Sequence, residues 1–140
     1  MISTILSGFG LMRKQSQNWK KSIRKPNSFW KEGVDQETQF ILEIAAITHD
    51  IACPRCREKY GNTNGKYQEE EGVPLVRAFL ADTGMSVPQI DRAAFLVGHH
   101  HTFTAIDGID WQILIEADYI ANAAENGYSR EEIKGSIQKI

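Results

Sequence analysis

The stretch QETQFILEIAAITHD, residues 36–50, decides how the chain is read. From Phe40 to Ile47 every residue but Glu43 is apolar, which fits a helix packed in a core, and Asp35 just ahead can cap it. His49 and Asp50 stand at its far end. A carboxylate without a partner at the end of so apolar a helix is costly to desolvate, so the pair needs a cation.

Working outward, the sequence reads as helices separated by clear stops, and no stretch alternates apolar and polar residues as a half-buried strand does. The stretch from Ala52 to Gly65, with Pro54, Gly61, Asn62 and Asn64, is predicted to be a loop. A second helix is expected from about Tyr67 to Thr83, stopped by Gly84; Ser86 and Pro88 open a third, which ends near His99-His100-His101. A fourth, about Ile109 to Glu125 and closed by Gly127, is rich enough in apolar residues to be a second core helix. Ser129 and Glu132 have capping-box spacing and start a fifth. The expected fold is therefore all-α, with about five helices.

The 140 residues, 41% of them hydrophobic, suit one domain with one core. The net charge of -2 conceals an asymmetry: residues 1–31 hold seven of the 16 basic side chains and none of the 18 acidic ones. Residues 1–31 are read as an atypical basic segment, either a disordered arm or a divergent first helix, and 32–140 as the folded domain. The short apolar start from Met1 to Met12 fits neither a signal peptide nor a membrane span, so a cytoplasmic protein without a membrane partner is expected. Trp19, Phe29 and Trp30 among the basic residues could stack bases, but a short basic arm is more often merely solvated, and nucleic acid is not the expected partner. Cys53 and Cys56 lack both the strand context of a redox motif and the second pair of a zinc knuckle.

Asp118 is the second costly carboxylate, set in a helical stripe with Leu114, Ile115 and Ala121. A divalent ion meets the needs of both aspartates, since carboxylate and imidazole suit manganese, iron, magnesium or zinc, and the triple histidine offers further nitrogen donors.

Three segments, IAAITHDIA around His49-Asp50, FLVGHHHTF near residue 100 and ILIEADYIAN around Asp118, resemble in order those of the HD-domain superfamily, from roughly Glu32 to Gly127. The resemblance implies a helical bundle holding one or two divalent metals, with His49, Asp50 and Asp118 as ligands. Similarity to HD enzymes that cleave dinucleoside tetraphosphates adds His100, 18 residues before Asp118, and places Glu71 where those enzymes have a histidine, as a ligand or general base. The family's first histidine has no counterpart; its place falls near Gln17 or Asn18. A shifted reading frame upstream or a natural divergence would each account for that.

The implied activity is metal-dependent hydrolysis of a phosphate ester or anhydride of a nucleotide-like small molecule. Asp50 and Glu71 would be catalytic, and Lys66, Asn122 and His101 would contact substrate, with Lys59 a further candidate clamp for phosphate. The alternative is a degenerate scaffold that binds a ligand or partner without turnover. A homodimer is compatible with either.

Overall fold

The computed structural model describes residues 35–139, all helix, turn and loop with no strand among them. The basic segment 1–31 and the place of the missing histidine lie outside the described residues. Six helices follow in order: α1 (Gln36–Thr48), α2 (Cys53–Tyr60), α3 (Gly65–Leu80), α4 (Val87–Val97), α5 (Ile109–Glu125) and α6 (Arg130–Ile137). The all-α expectation holds.

Local chemistry sets the helix ends. Asp35 caps α1 by accepting a hydrogen bond from the Thr38 amide at 2.8 Å. Ser86 with Gln89 and Ser129 with Glu132 form reciprocal capping boxes at the starts of α4 and α6, satisfying amides that have no partner within the helix. Helix α2 corrects the loop predicted over 52–65. Pro54 lies in its first turn, where no amide hydrogen is needed, and Gly61 closes it at φ 74° with its amide donating to the Arg57 carbonyl. Two of the residues read as loop formers are the start and the stop of a helix.

The main core lies between α1, α3, α4 and α5, where Ile41, Val76, Leu80, Leu96, Leu114 and Ile115 are buried together. Burying each such side chain contributes about 1.5–3 kcal/mol. Helix α1 enters the core by one face rather than all round, with Ile41, Ala45 and Thr48 inside and Phe40 exposed. Helix α5 is buried over most of its length, and α6 covers its last turns through Ile133 and Ile137 against Ile120 and Ala123. No helix among the described residues is long and apolar enough to cross a membrane.

Two contacts fix the start of α5, and with it the position of Asp118 two turns later. Arg92 of α4 donates from Nε and Nη2 to the two oxygens of Asp110 at 2.7 and 2.6 Å, and the Trp111 indole donates to the His99 carbonyl at 2.9 Å. Such a bidentate pair holds orientation as well as distance.

Candidate metal centre

The C-terminal end of α1 delivers His49 into the interior, where it is 4% exposed. Its Nδ1 lies 2.7 Å from the Ala46 carbonyl, so that nitrogen donates to the backbone and Nε2 faces the site. Nε2 stands 3.1 Å from Asp118 Oδ1 and 3.2 Å from Asp50 Oδ2. The three residues expected to converge do so, with two carboxylates on one imidazole nitrogen.

The charges explain why these three groups hold together. Burial pushes the His49 imidazole down, but hydrogen bonds with Asp118 and then Asp50 outweigh it and raise it to about 10. Burial raises the Asp50 carboxyl, yet the His49 hydrogen bond and the charges of His49, His100 and His101 bring it to about 2. The Asp50 side chain is 61% exposed, so solvent screens part of that attraction, and buried Asp118 is the firmer partner of His49. At neutral pH the imidazolium provides the positive charge that the two aspartates need.

Beyond Gly98, the C-cap of α4, the chain leaves helical geometry, and the three histidines diverge. His99 turns to the apolar side, stacked on Phe95 at 4.1 Å and edge-on to Trp111. His100 is fully buried, edge-on to His49 at 5.3 Å between ring centres, with its Nδ1 held by the Val97 carbonyl. Burial, then the charges of His101 and His49, push His100 down to about 4, so it is a neutral imidazole at pH 7. His101 lies beside it at 4.1 Å.

Donor atoms of His100, His101 and Asp118 all lie within 4.8 Å of one another. Metal–ligand bonds of about 2.0–2.2 Å hold two donors at most about 4.4 Å apart, so the set is near the spacing that one ion imposes. Two imidazoles and a carboxylate, His100 and Asp118 buried and His101 partly so, also form a donor set suited to a divalent transition metal. The residues present fit such an ion.

Sequence reasoning missed two residues here. Gln68 of α3 is buried, and its Oε1 lies 3.3 Å from His100 Nε2 and 3.1 Å from His101 Nε2, while its Nε2 donates to the Thr63 carbonyl at 2.6 Å. Glu69 accepts from the His101 amide at 2.9 Å and the Thr102 hydroxyl at 2.8 Å, anchoring the histidine run to α3. The signal for Gln68 was its place in the buried stripe Gln68, Gly72, Val76, Leu80, an amide where the period requires an apolar side chain. Gly65 also serves the site: a Cβ there would lie 2.8 Å from the Cβ and Cγ of His101, so only glycine lets α3 start so close.

Other expected residues are placed differently. The Glu71 carboxylate accepts from Lys59 Nζ at 2.7 Å and the Tyr60 hydroxyl at 2.8 Å, with Arg55 Nε at 3.6 Å. It ties α2 to α3 and, like His49 and Asp50, is not among the three clustered donors; the ligand and base roles expected of it stand beside these three partners, and Gln68, one turn earlier, meets the histidines. Lys59 holds Glu71, and Lys66 is exposed, 3.9 Å from Glu70. Asn122 does reach the site, donating from Nδ2 to Asp118 Oδ1 at 3.1 Å. His101, expected to touch substrate, stands among the clustered donors. Cys56 is buried and Cys53 partly so, 3.8 Å from Asp50, with its thiol pushed up to about 12 by burial and the Asp50 charge.

Asp118 and His101 also line a cleft of about 220 Å³ that continues along α5 past Asn122. Comparison with family models, with curated proteins and with solved structures finds no match to this chain.

Proposed function

We propose that the protein is an HD-type metal-dependent phosphohydrolase acting on a phosphate ester or anhydride of a nucleotide-like small molecule. The observation that carries this reading is the meeting of Asp50 and Asp118 on His49 Nε2 beside the His100, His101 and Asp118 donors. The order of the segments IAAITHDIA, FLVGHHHTF and ILIEADYIAN supports it.

In this reading His49, Asp50, His100, His101 and Asp118 would hold one or two divalent ions. Such an ion, whether manganese, iron, magnesium or zinc, supplies a water of lowered pKa and positive charge for a phosphoryl oxygen. His49 would have to give up its Nε2 proton to act as a ligand, and Gln68 keeps the two neighbouring rings in place. Asp50, the exposed member of the set, is positioned to take a proton from the attacking water. Asn122 holds Asp118 in orientation through its hydrogen bond. Glu71 has no role in the chemistry proposed here. A cytoplasmic setting suits the two free cysteines.

A second reading, a scaffold that binds a ligand or partner without turnover, is favoured by one observation: the chain has no histidine near Gln17 or Asn18, where the family's first one would fall. Elemental analysis of purified protein, joined to a manganese-supplemented screen of nucleotides and phosphate esters, separates the two. One or two metals per chain with turnover is the expected result. Neither metal nor turnover would leave the scaffold.

A further inference from the structure

The cleft beside the metal centre has walls that the chemistry above does not use. Asp118 and His101 form its inner end, and it runs outward along α5 past Tyr119, Asn122 and Asn126. Two loops complete it: Phe103, from the segment after the histidines, and Tyr128, from the turn between α5 and α6. Phe103 is 49% exposed and Tyr128 56%, an unusual cost for two large aromatic side chains that both border one small cavity.

The polar groups of the wall are equally selective. Asn122 commits its Nδ2 to Asp118, and Asn126 donates from its Nδ2 to the Asn122 carbonyl at 2.8 Å. Neither Asn Oδ1 accepts a hydrogen bond from a described residue, so both remain as acceptors. Among the described residues, no lysine or arginine lines the cleft, and Asp118 is its one carboxylate. Nothing in those walls would balance a second or third phosphate. The volume of about 220 Å³ is below the roughly 300–1,000 Å³ of sites that enclose drug-sized ligands.

We infer that this cleft selects a phosphomonoester whose organic part is a single flat, uncharged ring, held between the faces of Phe103 and Tyr128 while its phosphate lies at the Asp118 end. The inference rests on the phosphohydrolase reading and narrows it from nucleotide-like compounds in general to singly phosphorylated aromatic ones. Aromatic stacking tolerates any ring with a π face, and removing one stacking side chain loses roughly tenfold or more. Ring N–H groups, where the ligand has them, find the free oxygens of Asn122 and Asn126.

The test uses the manganese-loaded full chain with two probes, phenyl phosphate and glycerol 3-phosphate, which share a phosphate and differ in the ring. The variants are Phe103→Ala and Tyr128→Ala, with Phe79→Ala as an exposed aromatic control outside the cleft. All three positions are at least 37% exposed, so folding is not at risk, and circular dichroism checks it. The expected kcat/KM favours phenyl phosphate by about tenfold or more. That ratio should fall towards one in Phe103→Ala or Tyr128→Ala and stay put in Phe79→Ala. Equal use of both probes by the unaltered protein, or a ratio that neither cleft variant moves, overturns the inference and leaves the phosphohydrolase reading standing. If neither probe is hydrolysed, the phosphohydrolase reading is left to the nucleotide screen above, and ligand-detected NMR decides the cleft. Line broadening of phenyl phosphate that Phe103→Ala abolishes supports the inference; no broadening with the unaltered protein overturns it.

Discussion

Replacing Asp118 by Asn removes one charge from the interior while keeping shape, so it isolates what the carboxylate does for His49. Each tenfold change in proton affinity is 1.36 kcal/mol, so raising His49 from 6.5 to about 10 corresponds to about 5 kcal/mol, supplied by both aspartates against the cost of burial. Asp118 makes the stronger hydrogen bond to His49 and is the better shielded partner, and Asn retains an oxygen for Asn122. A loss of about 2–3 kcal/mol is therefore expected for ion-free Asp118→Asn at pH 7, at the low end of the roughly 3–5 kcal/mol for breaking a buried pair, because Asp50 still faces His49. That lowers the melting temperature by roughly 10 °C for a domain of this size.

The sign of the pH dependence follows from the direction of the shift. A group raised in the folded state contributes fully below its unfolded value, here 6.5, and loses that contribution as pH climbs through about 10. The gap between the unaltered protein and Asp118→Asn should therefore close between pH 7 and 10. Urea denaturation with a chelator present, at pH 6, 7, 8, 9 and 10, measures it. A gap that is absent at pH 7, or constant to pH 10, would refute the argument that an imidazolium holds these carboxylates together.

Three further outcomes are expected. The ion-free protein should be most stable near pH 6.5, because His100, pushed down to about 4, loses its contribution as pH falls below 6.5 while His49 loses its own above it; a denaturation series in chelator from pH 4 to 10 checks this. Glu71→Gln should lower the melting temperature by loosening α2 from α3 yet leave the bound metal per chain unchanged, read by calorimetry and elemental analysis. Leu114→Ala, at 1% exposure in the main core, should cost about 2–5 kcal/mol in urea denaturation.

Much of this was legible in the sequence, for reasons particular to each element. Asp35, Ser86 and Ser129 are cap residues whose side chains act locally, so helix starts could be read without knowing the fold. The His49-Asp50 dyad and Asp118 stood out because each places a charge in an apolar stripe. Helix α2 escaped because proline and glycine mark a turn and the two ends of a short helix equally well, and only the burial of Cys56 decides between them. Gln68, which meets the histidines, lies one turn from Glu71, the residue singled out in the sequence, and the two positions share a helix face, so spacing alone does not choose between them. His101 was out of reach for a different reason: past Gly98 no period tells which of three consecutive imidazoles points inward.

The contributors to the cluster are scattered: His49 ends α1, Gln68 lies on α3, His100 and His101 follow α4, and Asp118 is on α5, 69 residues from His49. No single hairpin of the bundle contains them, so an ion held here as proposed would act as a rivet through three elements, with α3 joined to it through Gln68. Occupancy at a hundred times the dissociation constant adds about 2.7 kcal/mol to the native state. Because the rivet joins distant parts, the gain should register as slower amide exchange throughout the core rather than as a local stiffening around the histidines.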